Sequence, residues 1–362
     1  MLHTPPSVPS TLDARWGYFF VGGHYIGEDA AREMSGQMYV QVIEPATVTQ
    51  RYPLVMMHGM AQTGNTFLAT PDGRAGWVHD FASRGYRVYV VDQVGRGRSG
   101  TSSRRYGPYA TPSMAFIQQL LIGQQASGLW PQVTFHTQWP GDPVPGDPFF
   151  DQFVAQQVEY MASGVTTEEV NLPANLALLE HIGPAIVLTH SQSSTFGWKL
   201  ADMRPDLVKA HVAVEPNGPP FYDVQFLGGK AWYAYRTEVA RPWGITRLPL
   251  GFVPALETPP QAVLQPQAES PALVACWLQP EPARQLPNLA QVPAVIVTGE
   301  ASFRAPYDHC TASFLAQAGV PVTHMRLEGE GMRGNGHMMM LERNSSEIAA
   351  AIHRWLAKTL PQ

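Results

Sequence analysis

Cysteine is scarce in this chain of 362 residues, which contains only Cys276 and Cys310. Neither belongs to a CxxC pair or to a cysteine–histidine cluster, so the usual zinc sites and thioredoxin-like redox motifs are excluded. The residues alone allow either two buried free thiols or one disulfide. The twelve histidines show no spacing typical of metal ligands, and we predict no metal site.

Charge is also in short supply, because charged residues make up 15% of the chain and the net charge is −5. No basic region is available to attract nucleic acid or anionic lipid. No apolar run reaches the roughly 20 residues of a membrane-spanning helix, and Met1–Pro6 lack the charged-then-apolar order of a signal peptide. The sequence as given predicts a soluble, cytoplasmic protein that binds neither nucleic acid nor membranes, and a removed leader would leave the same pattern.

Short β-branched segments alternate with helical segments through most of the chain, which is typical of a mainly parallel sheet covered by helices on both faces. A hydrophobic fraction of 44% is ample for such a core. We predict one α/β domain over residues 1–362, with roughly eight strands of which the first two form an antiparallel edge pair. The predicted strands are Trp16–Val21, Gln37–Ile43, Pro53–His58, Tyr86–Val91, Pro184–His190, Lys209–Val214, Pro293–Thr298 and Val322–Leu327, and the predicted helices lie near residues 75–83, 170–181, 191–203, 307–318 and 345–356.

Two long segments, residues 101–164 and 216–291, do not fit this alternation, and the second is rich in proline and aromatic residues. Both are longer than ordinary connections between elements. In an open α/β sheet, such insertions leave from the carboxyl ends of strands, where the ligand crevice lies. We therefore interpret both segments as cap insertions rather than as linkers.

A candidate nucleophile, Ser191, directly follows a buried strand and precedes a helical segment. A serine on such a strand-to-helix turn is held in a strained conformation with its hydroxyl exposed above the sheet. The turn requires small residues two positions before and after the serine, and Thr189 and Ser193 are larger than the usual glycines. A serine that caps a helix would give the same local pattern, so the assignment depends on its partners.

The partners of a serine nucleophile occur at the expected places along the chain. The donors for an oxyanion are normally the N–H after the nucleophile and another N–H in the loop after the third strand. Gln192 provides the first, and Met60, which follows His58–Gly59, provides the second. The general base is expected in the loop after the last strand, where His337 is the only histidine.

The acid that would orient this histidine has three candidates, because it can follow either of two strands. Glu215 ends one apolar strand, whereas Glu300 and Asp308 follow the next one. All three preserve the chain order nucleophile, acid, histidine. Burial alone would not place a carboxylate at the end of an apolar strand, and this modestly favours Glu215.

The stretch Gly95–Gly100 matches the GxGxxG pattern of dinucleotide-binding sites. It follows an internal strand, Arg96 and Arg98 crowd the loop, and no helix clearly begins there. We therefore predict that these glycines allow a sharp turn after Asp92–Gln93 and that the stretch binds no nucleotide.

The chain resembles a small family of bacterial α/β-hydrolase esterases that have a Ser-Glu-His triad. The Val-Glu-Pro strand end and the His-Met-Met-Met run are specific to that family rather than general to the fold. The resemblance implies an α/β-hydrolase fold with Ser191 as nucleophile, Glu215 as acid and His337 as base. The matching segments are Tyr18–Gly23, Gln37–Val40, Arg51–Pro53, His58–Gly59, Thr70–Arg74, Gly76–Trp77, Arg84–Tyr86, Asp92–Gln93, Gly95–Ser99, His190–Ser193, Val214–Pro216, Gly334–Asn335, His337–Met340 and Arg343–Asn344.

Two features depart from that family. The family esterase that this chain resembles has a vicinal cysteine pair in the oxyanion loop, where this chain has Met60–Ala61, but a backbone donor does not depend on those side chains. The connection after Glu215 is far longer here and rich in aromatic residues, so the family's substrate cannot be transferred. Within it, Trp232, Tyr233 and Trp243 are candidate substrate contacts, with a separate aromatic core as the alternative.

A disulfide between the long insertion and the helix that carries Cys310 would also resemble the family. Its other half would be Cys276. Such a bond, together with a removed leader, would indicate a secreted or periplasmic protein.

Together these residues predict a serine hydrolase that cleaves small carboxylic esters through an acyl-enzyme and needs no metal or cofactor. Cleavage of lactones, amides or carbon–carbon bonds by the same triad is the alternative, because the fold does not choose among these reactions. A non-catalytic binding protein of the same fold is disfavoured by the intact set of partners. A homodimer is compatible with the sequence, which does not determine the oligomeric state.

Overall fold

An eight-stranded sheet forms the centre of the computed structural model, which describes residues 12–361. Met1–Pro6, on which the signal-peptide prediction rests, lie outside the described residues. The order across the sheet is β1-β2-β4-β3-β7-β8-β13-β14, and the other strands form the pairs β5-β6, β9-β10 and β11-β12. Along the chain the strands are β1 (Ala14–Ile26), β2 (Glu33–Pro45), β3 (Leu54–Met57), β4 (Val88–Asp92), β5 (Tyr109–Ala110), β6 (Tyr160–Met161), β7 (Ala185–His190), β8 (Val208–Val214), β9 (Phe221–Phe226), β10 (Tyr233–Arg241), β11 (Val263–Leu264), β12 (Trp277–Leu278), β13 (Ala294–Thr298) and β14 (Val322–Arg326).

The central sheet is mainly parallel, as predicted. Strands β4, β3, β7, β8, β13 and β14 pair in parallel, whereas β1 and β2 are antiparallel to their neighbours. The sequence predicted that β1 and β2 would be an edge pair, and β1 does lie at the edge. Strand β2 is internal, because it also pairs with β4.

Helices cover both faces of this sheet. They are α1 (Asn65–Leu68), α2 (Trp77–Ala82), α3 (Ser103–Tyr106), α4 (Pro148–Ala155), α5 (Gly164–Ile182), α6 (Ser194–Met203), α7 (Asp308–Gln317) and α8 (Ser345–Thr359). In β3, Leu54 and Met56 belong to the buried cluster that includes α2 and α8, whereas Val55 and Met57 belong to the cluster that includes α5 and α6. Because both faces are buried, the strand is apolar at every position.

The two segments outside the alternation share a third cluster of buried side chains. Trp130 comes from residues 101–164, Trp232 and Cys276 come from residues 216–291, and Phe303 comes from the loop after β13. Ring contacts join Trp130 to Phe226 and to Phe303. This aromatic cluster therefore attaches both segments to the carboxyl end of the sheet, while their function as a cap stays a prediction.

A disulfide joins Cys276 of the second segment to Cys310 of α7. Of the two states that the residues alone allowed, the structure has the bonded one. Disulfides are typical of oxidising compartments. Among residues 12–361, no helix combines the length and the apolar character needed to cross a bilayer.

Removing the disulfide is expected to lower the free energy of unfolding. The two cysteines are 34 residues apart, and in the chain-entropy model a loop of that length contributes about 3–4 kcal/mol. Urea unfolding of the double variant Cys276→Ser/Cys310→Ser, compared with the oxidised protein, measures this difference. A loss below about 1 kcal/mol would show that the insertion is held mainly by its aromatic contacts.

Candidate active site

Ser191 lies on the turn between β7 and α6, directly after the last residue of the strand. Its φ is +53°, a conformation that residues with a Cβ seldom adopt. The backbone N–H of Asn217, in the loop after β8, donates to the Ser191 carbonyl at 3.1 Å and so holds the turn against the neighbouring strand end. The turn therefore has the strain expected of a nucleophile elbow.

The two bulky neighbours in this turn have hydrogen-bonding roles of their own. The Ser193 hydroxyl donates to the Met57 carbonyl at 2.8 Å and accepts the His190 N–H at 3.0 Å. The Thr189 hydroxyl lies 2.8 Å from Nε2 of His211 on β8. Both side chains therefore tie the turn to adjacent strands, which explains why the chain accepts them where glycine is usual.

The loop after β3 passes close to Ser191. A Cβ on Gly59 would lie 2.9 Å from Nδ1 of His190 and 3.1 Å from Cβ of Ser191, so this approach requires glycine. Arg96 is buried and donates to the Gly59 carbonyl at 2.9 Å and to Oε1 of Gln192 at 3.1 Å. One guanidinium thus connects the loop that contains Met60 to the residue that follows Ser191.

The glycine-rich stretch at 95–100 forms a turn and contributes to this support. It contains a three-residue helical turn, Gly97–Ser99, and no long helix begins there. Asp92 accepts from the backbone N–H groups of Gly64 and Arg98 at 2.7 and 2.8 Å, and it pairs with the Arg98 guanidinium. These contacts agree with the predicted sharp turn.

The three candidate acids have different partners in the structure. Glu215 Oε2 lies 2.9 Å from Nδ1 of His337. Glu300 pairs with Arg333 at 2.7 Å and accepts the Gly334 N–H. Asp308 accepts from the Thr298 hydroxyl at 2.8 Å. Of the three, only Glu215 is hydrogen-bonded to the histidine.

Glu215 is completely buried and fully hydrogen-bonded. Its Oε1 accepts the Gly299 N–H at 2.7 Å, and its Oε2 accepts from the Ser302 hydroxyl as well as from His337. Burial raises the pKa of Glu215 well above its usual range, the nearby Asp308 raises it further, and the hydrogen bonds from Gly299 and Ser302 oppose the shift. The three donors stabilise the carboxylate form that can accept the imidazole N–H.

His337 is buried, and its ring is fixed at Nδ1 by Glu215. Burial lowers the pKa of His337 well below 6.5, and His190 and Arg304 lower it further. Nε2 of His190 donates to the His337 carbonyl at 3.0 Å. Within residues 12–361, Nε2 of His337 has no hydrogen-bond partner, so a neutral imidazole here has a free lone pair for a proton.

The loop that carries His337 is held by one buried carboxylate, Glu342. It accepts from the Asn335 amide at 2.7 Å, from the Gly336 N–H at 2.9 Å and from Nε2 of His136 at 2.7 Å. His136 belongs to residues 101–164, so the first insertion is attached directly to the histidine loop.

A cavity of about 510 Å³ opens beside these groups, and Met60, Ser191 and His337 all line it. Both insertions contribute to its wall, for example through Phe116 and Phe226. The three aromatic residues predicted to contact substrate do not belong to that wall. Trp232 stacks on Phe226, Tyr233 contacts Trp232 and Trp243 contacts Phe252, because these rings pack against one another inside the insertion.

Comparison with known proteins identifies the family of this chain. The chain matches no protein-family model. A fungal protein described as a "probable secreted lipase phiG", from Fungal sp. (strain ATCC 74256), is 42% identical over 351 residues, which cover 94% of this chain and 89% of the relative. The chain belongs to this lipase and esterase family.

One solved structure is similar in fold to this member of the lipase and esterase family. It is described as "The Atomic Resolution Structure of a Novel Bacterial Esterase", shares 22% sequence identity and a TM-score of 0.63, and covers 99% of both chains. At that identity the likeness concerns the fold, and it confirms the predicted α/β-hydrolase architecture. The family relationship confirms the predicted enzyme class, a carboxylic-ester hydrolase.

Several residues of this candidate site were not predicted from the sequence. Ser302 and Arg304 lie in the loop after β13, for which the sequence predicted only candidate carboxylates, and His190 precedes Ser191. The only sequence signal that could have identified these residues is their position, because each lies at the carboxyl end of a parallel strand. A group of possible metal ligands, Cys276, His309 and Cys310, is also close together, but its two sulfurs are bonded to each other.

Proposed function

We propose that the protein hydrolyses esters through an acyl-enzyme formed on Ser191. The observation that carries this proposal is the 2.9 Å hydrogen bond between Glu215 and His337 beside a cavity that Ser191 also lines. This set provides a nucleophile, a base with a free nitrogen and an acid that fixes the base.

The reaction proceeds in two similar halves. Nε2 of His337 takes the hydroxyl proton of Ser191 while Oγ attacks the ester carbonyl, and the N–H groups of Met60 and Gln192 stabilise the oxyanion. The imidazolium then gives its proton to the departing alcohol, leaving the acyl group on Ser191. Water, deprotonated by the same histidine, releases the acid and restores the serine.

Residues 101–164 and 216–291 act in this proposal as the cap that encloses the substrate. Both segments line the cavity, and the shared aromatic cluster and the disulfide fix them relative to the loop after β13. The disulfide and the secreted description of the fungal relative also support export to an oxidising compartment.

The rate with a neutral ester is expected to remain constant as the pH falls through 6.5. His337 must be neutral to act as base, and burial keeps its pKa below 6.5, so protonation reduces kcat/KM only at lower pH. A pH profile of kcat/KM with phenyl acetate measures this. Burial raises the pKa of Asp308 to about 7; an acidic limb near 7 that disappears in Asp308→Asn would assign the controlling proton to Asp308 instead.

Labelling of the nucleophile tests the proposed function. A fluorophosphonate is expected to give one adduct, located on Ser191 by peptide mass spectrometry, and to abolish the hydrolysis of a panel of aryl esters and lactones. Ser191→Ala provides the control and should remain unlabelled. An adduct on another serine, or a protein that neither reacts with the probe nor cleaves any ester, would contradict the proposal.

A further inference from the structure

A buried guanidinium lies beside the nucleophile and faces the cavity. Arg304 lines the cavity and is 6% exposed. Its Nη1 donates to the Gly218 carbonyl at 3.0 Å and to the Tyr307 hydroxyl at 2.7 Å. Nη2 lies 3.4 Å from Oγ of Ser191, and Nε has no partner within residues 12–361.

The donor capacity that remains beside the cavity lies at Nη2. Nε has no protein partner within residues 12–361, but it is itself buried from solvent. The contact of Nη2 with Ser191 is long, at 3.4 Å, so Nη2 can still donate a charge-assisted hydrogen bond to a carboxylate. Nη1 is occupied by Gly218 and Tyr307 and anchors the side chain.

No protein carboxylate neutralises this charge at close range. In the described part of the chain, no acidic oxygen lies within ion-pairing distance of Arg304. The acidic groups that interact with it over longer distances have other partners: Glu215 binds His337, Asp308 binds Thr298, and Asp223, which also lines the cavity, binds Arg241. A buried cation without a paired anion is costly to maintain.

Two other buried arginines show what a purely structural role looks like. Arg241 donates twice to the Pro219 carbonyl and forms an ion pair with Asp223 at 2.8 Å. Arg96 donates to a carbonyl and to an amide, and it does not line the cavity. Arg241 also has an unpartnered nitrogen, Nη1, and Arg96 also lacks a carboxylate partner within residues 12–361. Arg304 differs from both in position, because it lines the cavity and its Nη2 lies next to Ser191.

We propose that Arg304 binds a carboxylate on the substrate, so that the enzyme prefers esters of which one half carries an anionic carboxyl group. This inference rests on the proposed function, since it concerns the same site. Such a carboxylate would neutralise the positive charge of Arg304 and would fix the ester relative to Ser191. It could belong to the acyl half, as in a monoester of a dicarboxylic acid, or to the alcohol half, as in an acylated hydroxy acid.

Pairs of substrates with the same shape and different charge test this preference. Phenyl hemisuccinate and phenyl 4-methylpentanoate compare a carboxylate with an isopropyl group in the acyl half. The pair 4-acetoxybenzoate and 4-isopropylphenyl acetate does the same in the alcohol half. The measured quantity is the ratio of kcat/KM for the anionic ester to that for its neutral isostere, and the pair with the higher ratio identifies the half that carries the carboxylate.

In Arg304→Met this ratio is expected to fall by about 10- to 100-fold, the range for loss of a charge-assisted hydrogen bond. Arg304→Lys should give an intermediate value, because lysine keeps the charge but lacks the planar guanidinium whose Nη1 anchors the group. Arg236→Met is the matched control: Arg236 also lines the cavity but is exposed. We expect the control to change the ratio by only about 2-fold, and less at high salt.

An equal loss for both members of a pair would overturn the inference, because it would mean that Arg304 assists the reaction itself. An unchanged ratio would overturn it as well. If Arg304→Met does not fold, the preference is tested with the wild-type enzyme alone. A kcat/KM ratio of anionic to neutral ester below one for both pairs contradicts the proposal. If only the carboxylate preference is wrong, the enzyme still hydrolyses the neutral isosteres and Ser191 is still labelled. If the proposed function itself is wrong, no ester is cleaved.

Discussion

Replacing Ser191 with alanine is expected to lower kcat for aryl esters by about 10⁵- to 10⁶-fold. The variant cannot form the acyl-enzyme, and only binding and the oxyanion donors remain to accelerate attack by water. The side chain is small and lies at a strained position, with φ of +53°, so alanine does not perturb the surrounding packing. Single-turnover and steady-state assays with the same ester measure both the loss of rate and the absence of a burst.

A neighbouring serine provides the matched control. Ser194 is also buried, and its hydroxyl accepts the Asn217 N–H at 2.8 Å. Ser194→Ala removes the same hydroxyl one turn further along the chain and should reduce kcat by less than about tenfold, the effect of one neutral hydrogen bond. If Ser191→Ala keeps more than one per cent of the activity, the nucleophile lies elsewhere.

The central sheet could be predicted because each strand is buried on both faces. All four residues of Leu54–Met57 are apolar. Such a continuous apolar segment can be recognised from the sequence without knowledge of tertiary contacts. The start of α5 was less predictable. The sequence indicated a helix from residue 170, but the helix begins at Gly164, where the Ser163 side chain accepts the Thr166 N–H and caps it.

The positions of the candidate site residues were predictable where the fold fixes them along the chain, and less so elsewhere. Ser191, Met60 and His337 each follow a recognisable strand, and the structure brings all three to one cavity. The contact between His136 and Glu342 joins residues 206 positions apart, and no local pattern encodes such a pairing. The orientation of Arg304 likewise depends on how the insertions fold over the loop.

The aromatic insertion illustrates the same limit. Trp232 and Trp243 were equally compatible with a substrate wall and with a separate core, because a ring of either kind is large and apolar. The structure places them in packing clusters, whereas Phe226, which Trp232 stacks on, reaches the cavity. Which face of an irregular segment is buried follows from its tertiary contacts rather than from its composition.

Glu215→Gln is expected to lower kcat by about 10³- to 10⁴-fold while leaving the fold intact. Glutamine has nearly the same shape, and its carbonyl oxygen can keep the hydrogen bond from Gly299. The amide nitrogen that replaces Oε2 cannot accept from Ser302, and the side chain carries no charge to stabilise the imidazolium that forms at His337. It can also donate its amide N–H to Nδ1, which would place the imidazole proton on Nε2, where the base must be free. Steady-state kcat and KM for aryl esters measure the effect, and KM should change little because Glu215 does not line the cavity.

The other two candidate acids supply the controls for this prediction. Asp308→Asn keeps a side chain that can accept from the Thr298 hydroxyl, and Glu300→Gln weakens an exposed ion pair with Arg333. Neither residue is hydrogen-bonded to His337, so each should lose less than about tenfold in kcat. A large loss in Asp308→Asn with a small one in Glu215→Gln would reverse the assignment and would mean that His337 turns toward β13 during the reaction. The hydrogen bonds from Gly299 and Ser302 oppose that movement, because they hold the Glu215 carboxylate in place as the partner of Nδ1.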